Sequence, residues 1–231
     1  MVVASNVVDQ VCAGTIDRLD RGVEHIDEQL GLPESDERVP VAILELSDAW
    51  RLCGRGRAAC AQQRGPGSVA VLSPGAFERA AVHELAHARV GAQRSGNVAL
   101  FNEGIAVAVS PAFCAHDDEL PSADELLEIS TGWNLSDSGY WMGGELVTWL
   151  LEAHGPERLM SFLATLQRPE ALSPSADPEF VRSSYRSHFG SEIDEDLHAH
   201  LREPGQISPE GVGCVAPKAT WSGNRVRLTS T

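Results

Sequence analysis

Apolar positions along the chain follow two periods, and these divide it into elements. Val8, Val11, Ile16, Leu19, Val23, Ile26 and Leu30 recur every three or four residues, which predicts a helix over 8–30 ended by Gly31 and Pro33. "RVPVAILEL" (38–46) is a short unbroken apolar run and reads as a buried strand. "SDAWRLCG" begins at Ser47, a good N-cap residue, and reads as a short helix; "GSVAVLS" (67–73) reads as a second strand. A helix follows from about Gly75 to Val90, with Ser73-Pro74 before it and Gly91 after it. "NVALFNEGIAVAVS" (97–110) is a further helix, stopped by Pro111.

The second half is patterned differently. Residues 115–138 are acidic and rich in Pro, Ser and Gly, which predicts a surface excursion with a turn or two of helix at 123–129. Helical periods then run over 140–154, 156–167, 177–189 and 191–203, and Gly155-Pro156 separates the first two. At the end, "GCVAPKATWSGNRVRLTST" places a Ser-Gly-Asn turn between two short β-prone runs, which predicts a hairpin. No internal repeat is visible. The expected organisation is an N-terminal α/β part (1–111), a surface excursion (112–138), a helical C-terminal part (139–204) and a terminal β-hairpin segment (205–231). The expected class is α+β, with a small mixed sheet packed on the helix of 75–90.

Composition narrows the partners. The 231 residues suffice for a full core. No run reaches the ~20 apolar residues of a membrane span, and the longest candidate, Val98 to Val109, is interrupted by Asn102, Glu103 and Gly104. A net charge of −15 argues against nucleic acid and anionic membrane surfaces, which reward basic patches. Of the five cysteines, Cys53 and Cys60 bracket a glycine-containing loop, "CGRGRAAC", where a local disulfide would point to an oxidising compartment; buried free thiols in a cytosolic protein are the alternative. The start, "MVVASNVVDQ", lacks the basic and apolar regions of a signal peptide, so either the protein is cytosolic or the sequence begins after a removed signal. The cysteines favour the second, and with it a secreted or cell-envelope protein over a cytoplasmic one. A monomer is expected.

Candidate chemistry lies in "AAVHELAHARV" (80–90). Residues four apart share a helix face, so His83 and His87 can aim imidazole nitrogens at one cation. Glu84 is rotated about 100° from His83, so it can miss the ion yet reach a water beside it. Two ligands and a carboxylate base are what an H-E-x-x-H zinc hydrolase requires. Ala81, Leu85 and Ala88 form an apolar face suited to packing. The alternative is an ordinary helix carrying two hydrogen-bonded histidines. Catalytic zinc usually keeps a third protein ligand, and Glu103 lies in an otherwise apolar helix, where a buried carboxylate needs a partner or a metal. Gly104 beside it would let two helices approach closely. A partly exposed glutamate on a helix edge is the alternative there.

H-E-L-A-H followed by N-E-G-I-A resembles the gluzincins, zinc metallopeptidases of the thermolysin and aminopeptidase type. The resemblance spans about residues 38–203, with "SGYWMGGELVTWLLEAHGPERLMSFLATL" and "YRSHFGSEIDEDLHAHL" similar to the family's later helices. It implies His83, His87 and Glu103 as zinc ligands and Glu84 as general base. The spacing to Glu103 is shorter than in thermolysin and looks more like the compact bacterial members of the peptidase-MA type. Tyr140 stands where compact members carry a tyrosine that steadies the oxyanion; it could equally be an aromatic anchor at a helix start. The remaining histidines at 154, 188, 198 and 200 are expected on the surface or in packing.

The expected function is therefore zinc-dependent hydrolysis of peptide bonds in a peptide or protein substrate. The strand "SVAVLS" would be a sheet edge along which an extended substrate adds. No G-x-M-E-N-like run is present, which favours endopeptidase over aminopeptidase action. The rival is a catalytically silent zincin-fold protein that binds or serves structurally in the cell envelope. A deformylase-type hydrolase is a further alternative, but Cys53 and Cys60 lack the context of its cysteine ligand.

Overall fold

A computed structural model describes residues 1–7, 11–33, 38–64, 67–90, 98–110, 120–128, 135–166, 177–200, 218–222 and 225–229. It is a mixed α+β protein, mostly helical among the described residues. The chain divides into two compact units. The first takes Met1–Glu28, Leu32–Gly91 and Ile207–Thr231; the second takes Gln29–Gly31 and Ala92–Gln206.

In the first unit, strands β1 (Val2–Ser5), β2 (Pro40–Ile43), β3 (Ala59–Arg64) and β4 (Gly67–Leu72) form one sheet in the order β1-β2-β4-β3. β1, β2 and β4 are parallel and β3 is antiparallel to β4. Register aligns Val41 with Ala70 and Ile43 with Leu72 on one face, and Ala42 with Val71 on the other. The first set is buried to 2% exposure or less, as a strand covered on both sides requires. Helix α2 (Leu46–Cys53) packs its Ala49 and Cys53 onto Val71, with Ala42, Leu44 and Cys60 beside them. Helix α3 (Phe77–Val90) packs along β3 and β4. Helix α1 (Ala13–Gln29) buries Leu19 and Ile26, and its Gly22 lies against Leu85 and Val82 of α3. The sulfurs of Cys53 and Cys60 stand at disulfide distance, 1.96 Å, and join α2 to β3. Strands β5 (Lys218–Ser222) and β6 (Arg225–Thr229) pair antiparallel as the terminal hairpin.

One expectation needs correction here. The strand at 67–72 is not a sheet edge: β3 pairs on its outer side and takes that place. "ACAQQR" has no β-branched or aromatic residue, so its strand character comes from pairing with β4 rather than from propensity. β1 was also unexpected; it is a short strand recruited by β2, with the Val2 amide donating to the Val39 carbonyl at 3.0 Å.

The second unit contains α4 (Ala99–Ala108), α5 (Ala123–Glu128), α6 (Asp137–His154), α7 (Pro156–Leu166), α8 (Pro178–Phe189) and α9 (Ile193–Ala199). These match the predicted helices to within a few residues. α6 starts three residues earlier than its pattern, because Ser136 caps it by accepting from the Gly139 amide at 3.1 Å. α4 and α6 cross at backbone contact distance: a Cβ on Gly104 would stand 2.5 Å from the Gly143 carbonyl oxygen. The close approach that Gly104 permits is thus to α6. Phe101 of α4 meets Phe162 of α7 edge-on at 4.9 Å, and Phe162 meets Tyr185 and Phe189 of α8. The Tyr185 hydroxyl donates to buried Asp196 at 2.8 Å; burial, then that bond, push the phenol well above its ordinary pKa. Arg182 joins α5 and α9 to α8 through Asp124 and Asp194.

Candidate metal centre

α3 is oriented by what it buries. Leu85 and Ala86 are at most 1% exposed and Ala81 is buried, while Ala88 is half-buried. At its C-terminal end, Arg89 donates from Nε to one Asp27 oxygen at 2.6 Å and from Nη2 to the other at 3.1 Å. Nη2 also donates to the Pro33 carbonyl at 3.3 Å. The Arg89 side chain is only 7% exposed, so this fork ties the turn carrying His87 to α1. The sequence reading missed this pair, because no spacing signal links positions 27 and 89.

The same orientation leaves His83 and Glu84 buried and His87 half-buried. The Nε2 atoms of His83 and His87 are 3.1 Å apart, with the rings nearly perpendicular at 85°. On α4, Glu103 is 5% exposed among Leu100, Phe101, Ile105 and Ala106, all buried. His83, His87 and Glu103 each offer one ligand atom, and these atoms lie within 4.8 Å of one another. Among the described residues this is the one such group of three or more His, Cys, Asp or Glu.

The donor set suits zinc. Tetrahedral bonds of about 2.05 Å place two ligand nitrogens ~3.3 Å apart, close to the imidazole separation seen here. Two imidazoles and one carboxylate are a known catalytic-zinc ligand set with a position left for solvent.

The other candidates are placed as follows. Glu84 follows His83 on α3 and is 8% exposed. Tyr140 is half-buried in the first turn of α6, the helix that α4 crosses. The remaining histidines of this half take packing or surface positions. His200 stacks on Trp149 at 3.9 Å, His154 meets the same indole edge-on, and His188 Nδ1 lies 2.8 Å from the Ser184 carbonyl. His198 is exposed. No helix among the described residues is long and apolar enough to cross a membrane.

Compared with models of known protein families, with curated proteins and with solved structures, the chain matches none.

Proposed function

We propose that the chain is a zinc-dependent peptidase of zincin-like fold, acting on bonds within extended substrates. The reading is supported chiefly by the His83, His87 and Glu103 group, with a second buried carboxylate, Glu84, directly after the first imidazole. The Cys53–Cys60 pair favours an oxidising location, secreted or in the cell envelope.

Zinc held by His83, His87 and Glu103 would supply a Lewis acid that lowers the pKa of water in its open position towards ~7 and polarises the scissile carbonyl. Glu84 takes one proton from the attacking water as the new C–O bond forms. It then delivers that proton to the amine nitrogen as the C–N bond breaks. The Tyr140 hydroxyl donates to the carbonyl oxygen as negative charge grows there. The substrate backbone adds to the outer side of β3, the sheet edge next to β4.

Zinc stoichiometry and hydrolysis of an unfolded protein, with and without chelator, test the reading. Wild type is expected to bind one zinc and to cleave. Glu84→Gln should keep the zinc and lose cleavage by at least a hundredfold, whereas His87→Ala and Glu103→Ala should lose both. Full activity in Glu84→Gln, or full zinc content in Glu103→Ala, would overturn it.

A further inference from the structure

One stretch of this acidic chain carries positive charge and no negative charge. Between Ala49 and Phe77 there are four arginines, at 51, 55, 57 and 64, and no Asp or Glu. All 33 acidic residues lie elsewhere. Arg51 already faces Asp48 at 3.1 Å. Arg55 and Arg57 are exposed and have no ion-pair partner among the described residues.

These two cations sit on a turn that a disulfide closes. The Gly54 amide donates to the Trp50 carbonyl at 3.0 Å, seating the turn on the end of α2, and the Arg57 amide donates back to Gly54 at 3.1 Å. Gly56 sits at φ 91°, a conformation only glycine adopts freely, which lets the chain take this corner. Cys53 and Cys60 close the loop covalently at both ends. The turn runs straight into β3, whose outer edge has no strand partner among the described residues and whose far end is Arg64. β3 in turn packs against α3, the helix of His83, Glu84 and His87.

We propose that the Arg55–Arg57 turn and the free edge of β3 form one docking surface for an extended acidic peptide. The peptidase would then select substrates with Asp or Glu beside the segment that pairs with β3; naming the occupant as substrate rests on the reading above. Backbone pairing along a strand is indifferent to sequence, so discrimination has to come from side chains at its ends. Guanidinium groups suit carboxylates through paired hydrogen bonds. Six residues of strand span about 20 Å, so a peptide of about eight residues reaches from the turn to the end of β3. Longer polyanions fit less well. A bilayer or a nucleic acid would extend beyond the patch, past a Debye length of about 8 Å, and meet the acidic remainder of the chain.

The test uses the full-length Glu84→Gln protein with zinc and fluorescein-labelled ten-residue peptides, alike except for Glu, Gln or Lys at the flanking positions. Anisotropy should show the Glu peptide binding about tenfold tighter than the Gln peptide, since two exposed charge pairs contribute up to about fivefold each. The Lys peptide should bind weakest. The preference should vanish in R55Q/R57Q and shrink at 0.5 M salt, with Tm unchanged because both side chains are exposed. Equal binding of Glu and Gln peptides, a preference that survives in R55Q/R57Q, or retention on phosphatidylglycerol vesicles in place of peptide binding would each overturn the proposal. Wild-type cleavage of the same peptides separates the two readings. Cleavage with no charge preference sinks the docking surface and leaves the peptidase. Arginine-dependent binding of the Glu peptide with no cleavage supports the surface and sinks the peptidase.

Discussion

Gly104→Ala sets two effects of opposite sign against each other. Alanine is the better helix former by about 1 kcal/mol, which alone would stabilise α4. The new methyl group, however, would lie 2.5 Å from the Gly143 carbonyl oxygen and 2.8 Å from its carbon. Both atoms are backbone, so no side chain can rotate out of the way, and the helices must separate by about 0.8 Å to restore contact distance. A gap of that size forfeits a quarter to a half of each dispersion contact along the seam. Leu100, Val107 and Val147 lie along it and are buried to 9% exposure or less. Overpacking of this kind costs typically 1–3 kcal/mol and more where backbone must move. With two backbone atoms in the way, a gross cost of about 3–4 kcal/mol, above the typical range, less the gain of about 1 kcal/mol, leaves a net loss of about 2–3 kcal/mol, lowering Tm by roughly 5–10 °C for a chain of this size. On the function proposed above, zinc affinity should fall as well, because Glu103 precedes the displaced residue. Gly75→Ala is the control: its Cβ meets nothing within 4 Å, and Tm should hold. Calorimetry on both variants decides the matter. An unchanged or raised Tm for Gly104→Ala would refute the backbone-contact argument for the α4–α6 crossing.

Three further outcomes are expected. Asp27→Ala strands the buried Arg89 guanidinium and should cost about 3 kcal/mol, read as a lower urea midpoint; an unchanged midpoint would deny the fork its role in orienting α3. Reduction of the Cys53–Cys60 link frees a short loop and should cost about 2.5 kcal/mol on chain-entropy grounds, so Tm with and without reductant should differ. Hydrogen bonds from Arg182 hold the Asp194 carboxyl below its ordinary value of 3.8. A depressed folded pKa stabilises fully above that value and loses its effect as pH falls through the lower one. The stability gap between wild type and Arg182→Gln should thus be constant near pH 6 and narrow below pH 3.8; a gap that widened on acidification would reverse the sign argument.

Features that were legible in the sequence are those written locally. His83 and His87 are readable because a helix puts residues four apart on one face. Glu103 is readable because a carboxylate in an apolar run demands a partner. The Cys53–Cys60 pair was visible from the short glycine loop between the two residues. Tertiary pairing was not readable. "ACAQQR" becomes a strand only because β4 offers it a ladder, and its position moved the sheet edge away from 67–72. Gly104 signalled a close approach, but its partner depended on which turn of α6 faces α4. The Arg89–Asp27 fork and the Ser136 cap depend on neighbours that periodicity does not encode.

The mixed sheet also implies an order of assembly. β3 and β4 form a local hairpin, with Arg64 aligned to Gly67, whereas β1 must wait for a long crossover that brings Val2 beside Pro40. Closing a short loop takes well under a microsecond, and hairpins form in microseconds, while distant parallel pairing is slow. The hairpin is therefore the natural nucleus of the first unit and β1 its last recruit, so amide protons of β1 should be the first in the sheet to exchange with solvent.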